Sequence, residues 1–199
     1  RGSGVDTSVF SPGPKSPEPI CVVMATRILW DKGVGEFVEA ARSLKLAVPE
    51  VRFILVGEPD LDNPASVPKT TLKAWQEDNV VEWWGHSDAM AKIFQMAHVV
   101  CLPSYREGLP KVLIEAAACG KPIVTTDVPG CREVVRDGDN GLLVPVRDSK
   151  ALASALLRLI ENSELRTEMG KRSREIALAE FSSEHIIAQT LDIYKELVE

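Results

Sequence analysis

Short apolar runs alternate with amphipathic segments of roughly ten residues from Ile20 to Pro145, and this rhythm restricts the fold more than any other feature of the chain. The runs read PICVVMAT, VRFILVG, VVEWWG, HVVCLPS, PIVTTD and GLLVP. Between them lie GEFVEAARSLKLA, KTTLKAWQED, DAMAKIFQMA, PKVLIEAAAC and the shorter CREVVRD, each with helical spacing of its apolar residues. Strands that alternate with helices of this length build βαβ units and a parallel sheet. Runs that are apolar at consecutive positions are buried on both faces, so helices must cover both sides. The expected fold is an open, doubly wound, Rossmann-like α/β domain spanning residues 20–147.

Residues 1–19 hold four prolines, three glycines and four serines without a periodic apolar pattern, and read as an interdomain linker. From Asp148 the pattern turns wholly helical, giving a C-terminal helical segment of the same domain over residues 148–199. Asp148 and Ser163 are expected N-caps there, with Ser182 or Ser183 capping the last helix.

A net charge of −6 and a pI near 5.2 argue against nucleic acid as a partner, because phosphate backbones select a basic face. Cys21, Cys101, Cys119 and Cys131 form no CxxC pair; they read as reduced core residues of a cytoplasmic protein. No apolar stretch approaches the ~20 residues of a membrane span.

Open α/β sheets bind ligands beyond the carboxyl ends of their strands, here in the loops after Thr26, Gly57, Gly85, Ser104 and Asp127. The first loop, TRILWDKGVGE, carries Arg27 and Lys32 just before a helix expected to start near Gly33. That helix N-terminus and two cations would suit a diphosphate; simple solvation of both side chains is the alternative. Val38 stands where the third glycine of a GxGxxG fingerprint would be, which disfavours a nicotinamide dinucleotide.

The loop after the fourth strand reads REGLP. Gly108 permits close backbone approach, and Pro110 fits the first position of a helix. Glu115 would then lie between one and two turns into that helix. It is the only charged residue between Val112 and Gly120, and an uncompensated buried carboxylate is costly, so it needs partners or a ligand. A carboxylate there can accept both hydroxyls of a ribose diol, while Glu107 stays in the loop at the mouth of the cleft.

With these residues in place, EGLPKVLIEAAACGKPIV resembles the E-x7-E signature of retaining, group-1 (GT4-type) glycosyltransferases, which have the two-domain GT-B architecture. ATRILWDKG, VPGCREVVRDGDNGLLVP and the connector-like GSGVDTSVFSP extend the likeness over nearly the whole chain. The resemblance implies the C-terminal, donor-binding half of such an enzyme, with an N-terminal acceptor-binding half outside this chain. It implies that Arg27 and Lys32 hold the diphosphate and that Glu115 holds the ribose. Glu107, with the Gly108 and Leu109 amides, would hold the donor sugar and its distal phosphate. Gly85 and His86 would meet the base. A nucleoside-diphosphate sugar is then the substrate, with no metal and no cofactor. The Pro129-Gly130-Cys131 segment departs from the paired glycines of many members. Its style resembles bacterial enzymes that extend lipid-linked surface glycans, including those of lipopolysaccharide synthesis. That implies a lipid-linked acceptor and a peripheral position at the inner membrane. A GT-B epimerase or phosphorylase, or a non-catalytic α/β interaction domain, are the competing readings. A phosphoryl receiver is disfavoured because Arg27 and Gly85 replace its acidic positions.

Other signals read as structural. Asp60-Leu61-Asp62 sits in a proline-rich turn, and DGDNG (residues 137–141) lacks the glycine placement of a calcium loop. His98 is expected in the core, His185 on the surface, and Trp83 and Trp84 on the two faces of a buried strand.

Overall fold

The computed structural model describes residues 4–14, 18–60 and 62–198. Six parallel strands form one sheet: β1 (Cys21–Ala25), β2 (Arg52–Val56), β3 (Glu82–Trp83), β4 (Val99–Leu102), β5 (Ile123–Thr126) and β6 (Gly141–Val144). Their order across the sheet is β3-β2-β1-β4-β5-β6. The chain therefore winds outward in one direction from β1 to β3, returns past β1, and winds outward again from β4. The carboxyl ends of β1 and β4 part at that reversal and leave a crevice, the usual ligand position in such sheets.

Helices α1 (Val34–Ala47), α2 (Lys69–Glu77), α3 (Met90–Met96), α4 (Lys111–Ala118) and α5 (Pro129–Arg132) follow the first five strands in turn. Helices α6 (Ser149–Glu161), α7 (Ser163–Ile176) and α8 (Ser183–Val198) complete the chain, the last two joined by a π-turn at Ala177–Phe181. The doubly wound α/β expectation is thus met. Phe37 of α1 meets Phe53 of β2 edge to face, with centroids 5.9 Å apart and both rings fully buried. Burying each such side chain stabilises by roughly 1.5–3 kcal/mol.

Helix ends show what local chemistry decided. Asp148 caps α6 as expected, its carboxylate accepting from the Ala151 amide at 2.8 Å. The cap of α7 is Asn162, not Ser163: its side-chain oxygen accepts from Leu165 at 2.9 Å, and Ser163 becomes the first helical residue. Ser182 caps α8 through a bond from the His185 amide. Pro110 does not enter α4. Its extended ψ of 105° puts it at the N-cap, where its carbonyl accepts the Leu113 and Ile114 amides. The CREVVRD helix is displaced as well: Pro129 starts α5 and Arg132 ends it. Beyond it Val134 and Val135 remain buried.

Trp83 is half-buried, and its indole N–H donates to the Gly57 carbonyl at 2.9 Å. Trp84 is not a core residue. Strand β3 is only two residues long, so Trp84 falls past its end, 39% exposed and beneath the Arg52 guanidinium. His98 is partly buried, with Nδ1 accepting from the Cys21 amide. All four cysteines are free and buried.

The described part of residues 4–14 lies against the domain. Val5 is in the core, its N–H donating to Phe181 and its carbonyl accepting from Ser183. Arg174 of α7 donates to the Thr7, Phe10 and Ala118 carbonyls at 2.6–3.1 Å, tying this segment to the C-terminal end of α4. Among the described residues no helix is long and apolar enough to cross a membrane.

Candidate active site

Beyond the carboxyl ends of β1 and β2, against the starts of α3 and α4, lies a cavity of about 320 Å³. Arg27 after β1, His86 after β3 and Glu115 on α4 all line it, so three distant candidates converge. Glu58, Ser87 and Met90, which sequence reasoning did not name, also line it, as do Thr26 and Val112. Val112 and Glu115 lie three apart on α4, a helical spacing that pairs an apolar contact with a carboxylate on one face.

Glu115 is held in mostly apolar surroundings, and no hydrogen bond reaches its carboxylate among the described residues. Burial pushes its pKa up, opposed by the positive charge of Lys111 one turn earlier. A carboxylate kept short of partners at a cleft wall has spare acceptor capacity for a ligand.

Lys32, Gly85, Glu107, Gly108 and Leu109 do not line that cavity; the first and third form a second centre beside it. Lys32 Nζ lies 2.7 Å from Glu107 Oε1, with both side chains more than four-fifths buried. The fully buried Ser104 donates its hydroxyl to the same oxygen at 2.7 Å. Two further bonds fasten the Lys32 loop and the first turn of α1 to the Glu107 loop. The Tyr105 amide donates to the Asp31 carbonyl at 2.9 Å, and the Tyr105 hydroxyl donates to Glu36 at 2.7 Å.

Glycines make these approaches possible. Gly33, at φ 77°, begins α1 so close to β4 that a Cβ would stand 2.1 Å from the Pro103 carbonyl oxygen. A Cβ on Gly130 would lie 1.9 Å from the Gly108 oxygen and 2.5 Å from that of Glu107. The glycine retained in the Pro129-Gly130-Cys131 departure is therefore the one that lets α5 approach the Glu107 loop. Gly108 itself faces open space.

The two cations are separately engaged. Arg27 is largely exposed and reaches Asp60 at 3.3 Å, a contact the turn reading of that segment did not foresee. Leu61 lies outside the described residues. The DGDNG segment is the expected turn: Gly138 bonds to Gly141, and the Asp137 carboxylate accepts from Leu143. His86 is exposed, its Nε2 3.1 Å from Asp88. His185 is only partly exposed at the start of α8. Among the described residues no group of three or more His, Cys, Asp or Glu side chains is placed to hold a metal ion.

Comparison with known proteins places this geometry. The family model described as glycosyl transferases group 1 matches residues 6–176. The N,N'-diacetylbacillosaminyl-diphospho-undecaprenol alpha-1,3-N-acetylgalactosaminyltransferase of Campylobacter jejuni is 35% identical over 178 residues, 89% of this chain and 45% of that protein. Anabaena Alr3699/HepE, solved with UDP, superposes with a TM-score of 0.87 at 23% identity, over 97% of this chain and 56% of that one. Sucrose-phosphate synthase from Thermosynechococcus elongatus gives 0.84 at 28% identity, over 98% and 51%. The chain spans about half the length of the curated relatives it matches. A doubly wound sheet, a cavity lined by Arg27, His86 and Glu115, and a family match over residues 6–176 lead to one assignment: the chain belongs to the group 1 glycosyl transferases.

Proposed function

We propose that this chain binds the nucleoside-diphosphate moiety of a nucleotide sugar, UDP foremost, as the donor half of a retaining glycosyltransferase. The observation that carries the reading is the cavity beyond the ends of β1 and β2, which the underpartnered Glu115 carboxylate lines together with Arg27. The UDP bound to Anabaena HepE supports the choice of nucleotide.

In this reading Glu115 accepts the two ribose hydroxyls and the Gly85–His86 loop meets the base. Arg27 and Lys32 flank the diphosphate. Transfer breaks the anomeric C–O bond, and the electron pair stays on the leaving diphosphate. An acceptor hydroxyl forms the new C–O bond, and its proton passes to an oxygen of the leaving diphosphate. Positive charge from Arg27 and Lys32 beside the leaving group stabilises that developing anion, an electrostatic contribution that is usually the largest single catalytic term. Glu107, with the Gly108 and Leu109 amides, positions the sugar. These residues neutralise the diphosphate themselves, so the reading is metal-independent.

The acceptor site belongs to an N-terminal half, and a lipid-linked surface glycan is the proposed acceptor. The Campylobacter relative, named for a diphospho-undecaprenol acceptor, supports it. Work on such an acceptor would take place at the cytoplasmic membrane face, with the enzyme held there peripherally.

Amide chemical-shift mapping with UDP tests the site. Shifts concentrated at residues 26–33, 85–87 and 108–115 are expected. Shifts confined to the opposite end of the sheet would contradict the reading.

A further inference from the structure

Glu107 carries two acceptor oxygens, and the structure treats them differently. Oε1 receives both the Lys32 ammonium and the Ser104 hydroxyl, each at 2.7 Å. No hydrogen bond is made to Oε2 among the described residues. A carboxylate paired with an ammonium is ionised and can only accept, so the Ser104 proton must point at Oε1. Ser104 is in turn fixed: it is fully buried, and its carbonyl accepts the hydroxyl of the buried Thr126 on β5. Gly130 presses against the other side of the loop, at the Glu107 and Gly108 carbonyls.

We infer that Ser104 is a positioning residue for Glu107. It acts through that carboxylate, saturating Oε1 so that Oε2 alone is left to accept from a hydroxyl of the donor sugar. The inference rests on the nucleotide-sugar reading of the site. Lys32 by itself does not provide this orientation. Its ammonium is a flexible point charge that could follow the carboxylate as it turns, or leave it for the diphosphate. The Ser104 hydroxyl sits on a short, buried side chain at the end of the sheet and cannot follow. When the diphosphate draws Lys32 away, Ser104 is the contact that keeps Glu107 aimed. A buried serine that merely satisfies a neighbour would matter for stability and leave ligand selectivity unchanged, which separates the two roles.

The test is titration of the chain, as wild type, Ser104→Ala, Glu107→Ala and the double variant, with UDP and with UDP-glucose, UDP-N-acetylglucosamine and UDP-N-acetylgalactosamine. The expected result has three parts. At least one sugar nucleotide binds wild type differently from UDP. Ser104→Ala keeps UDP affinity within about twofold while weakening that sugar nucleotide about tenfold, the scale of one charge-assisted hydrogen bond. In the Glu107→Ala background, Ser104→Ala changes neither ligand further. Equal losses for UDP and the sugar nucleotide, or an unchanged effect of Ser104→Ala without Glu107, would overturn the inference and leave the nucleotide reading standing. Failure of wild type to bind any of these ligands would overturn both. Should Ser104→Ala not fold, Thr126→Val removes the donor to the Ser104 carbonyl, and a smaller loss confined to the sugar nucleotide is expected; a loss shared with UDP would count against the inference.

Discussion

Gly130 lies so close beneath Gly108 that a methyl group on it would stand 1.9 Å from the Gly108 carbonyl oxygen. The atom in the way is backbone, so the loop itself would have to move. Gly130→Ala is therefore predicted to destabilise the fold by about 1–3 kcal/mol, the usual cost of overpacking, and to weaken binding at Glu107. Gly108→Ala meets nothing within 4 Å and should leave the melting temperature almost unchanged. Thermal melts of the two variants check the contrast.

Arg27 is held by Asp60 across an exposed pair. An incoming diphosphate must compete with that carboxylate for the guanidinium. Because exposed pairs are weak, Asp60→Asn is predicted to strengthen UDP binding by about twofold to fivefold. The gain should shrink as salt rises. Titration at two ionic strengths measures both.

Glu115 gives a pH signature. Burial raises its folded-state pKa, partly offset by Lys111. The folded carboxyl thus keeps its proton to higher pH than the unfolded one. The cost of holding it is absent below the ordinary glutamate pKa of about 4.3 and grows as pH rises through that value to the raised one. Glu115→Gln should melt higher than wild type at pH 7 and converge with it near pH 4. The same substitution should weaken UDP binding about tenfold or more. A variant that gains stability and loses ligand is the expected pairing at a binding carboxylate.

Arg174 joins three carbonyls from two parts of the chain. Arg174→Ala leaves those acceptors without their cation and should lower stability by about 2–4 kcal/mol. Denaturant unfolding gives the value, and limited proteolysis should then cut residues 4–14 faster than in wild type.

The strands were legible because parallel strands buried on both faces must be apolar at every position, and Val22, Val23, Val99 and Val100 are. The candidate site was legible where function departs from that demand: Glu115 is conspicuous as a lone charge in an apolar helix. Less was legible where competing local choices were close. Asn162 and Ser163 are both good caps, and only the backbone shows which side chain reaches the Leu165 amide. Trp84 follows two valines and another tryptophan, yet the strand ends before it because pairing with β2 spans only two residues. Asp60 was read only as part of a turn and Ser104 only as the end of a strand, since their partners, Arg27 and Glu107, meet them through tertiary folding and tight loops. Gly130 likewise gains meaning only from the carbonyls above it.

The most direct measurement is calorimetric titration of this chain with UDP, GDP and ADP, with and without magnesium, beside Glu115→Ala. The account predicts binding of UDP ahead of the other two, equal with and without the metal, and lost or weakened at least tenfold in the variant. Binding that requires magnesium, or that Glu115→Ala leaves intact, would contradict it.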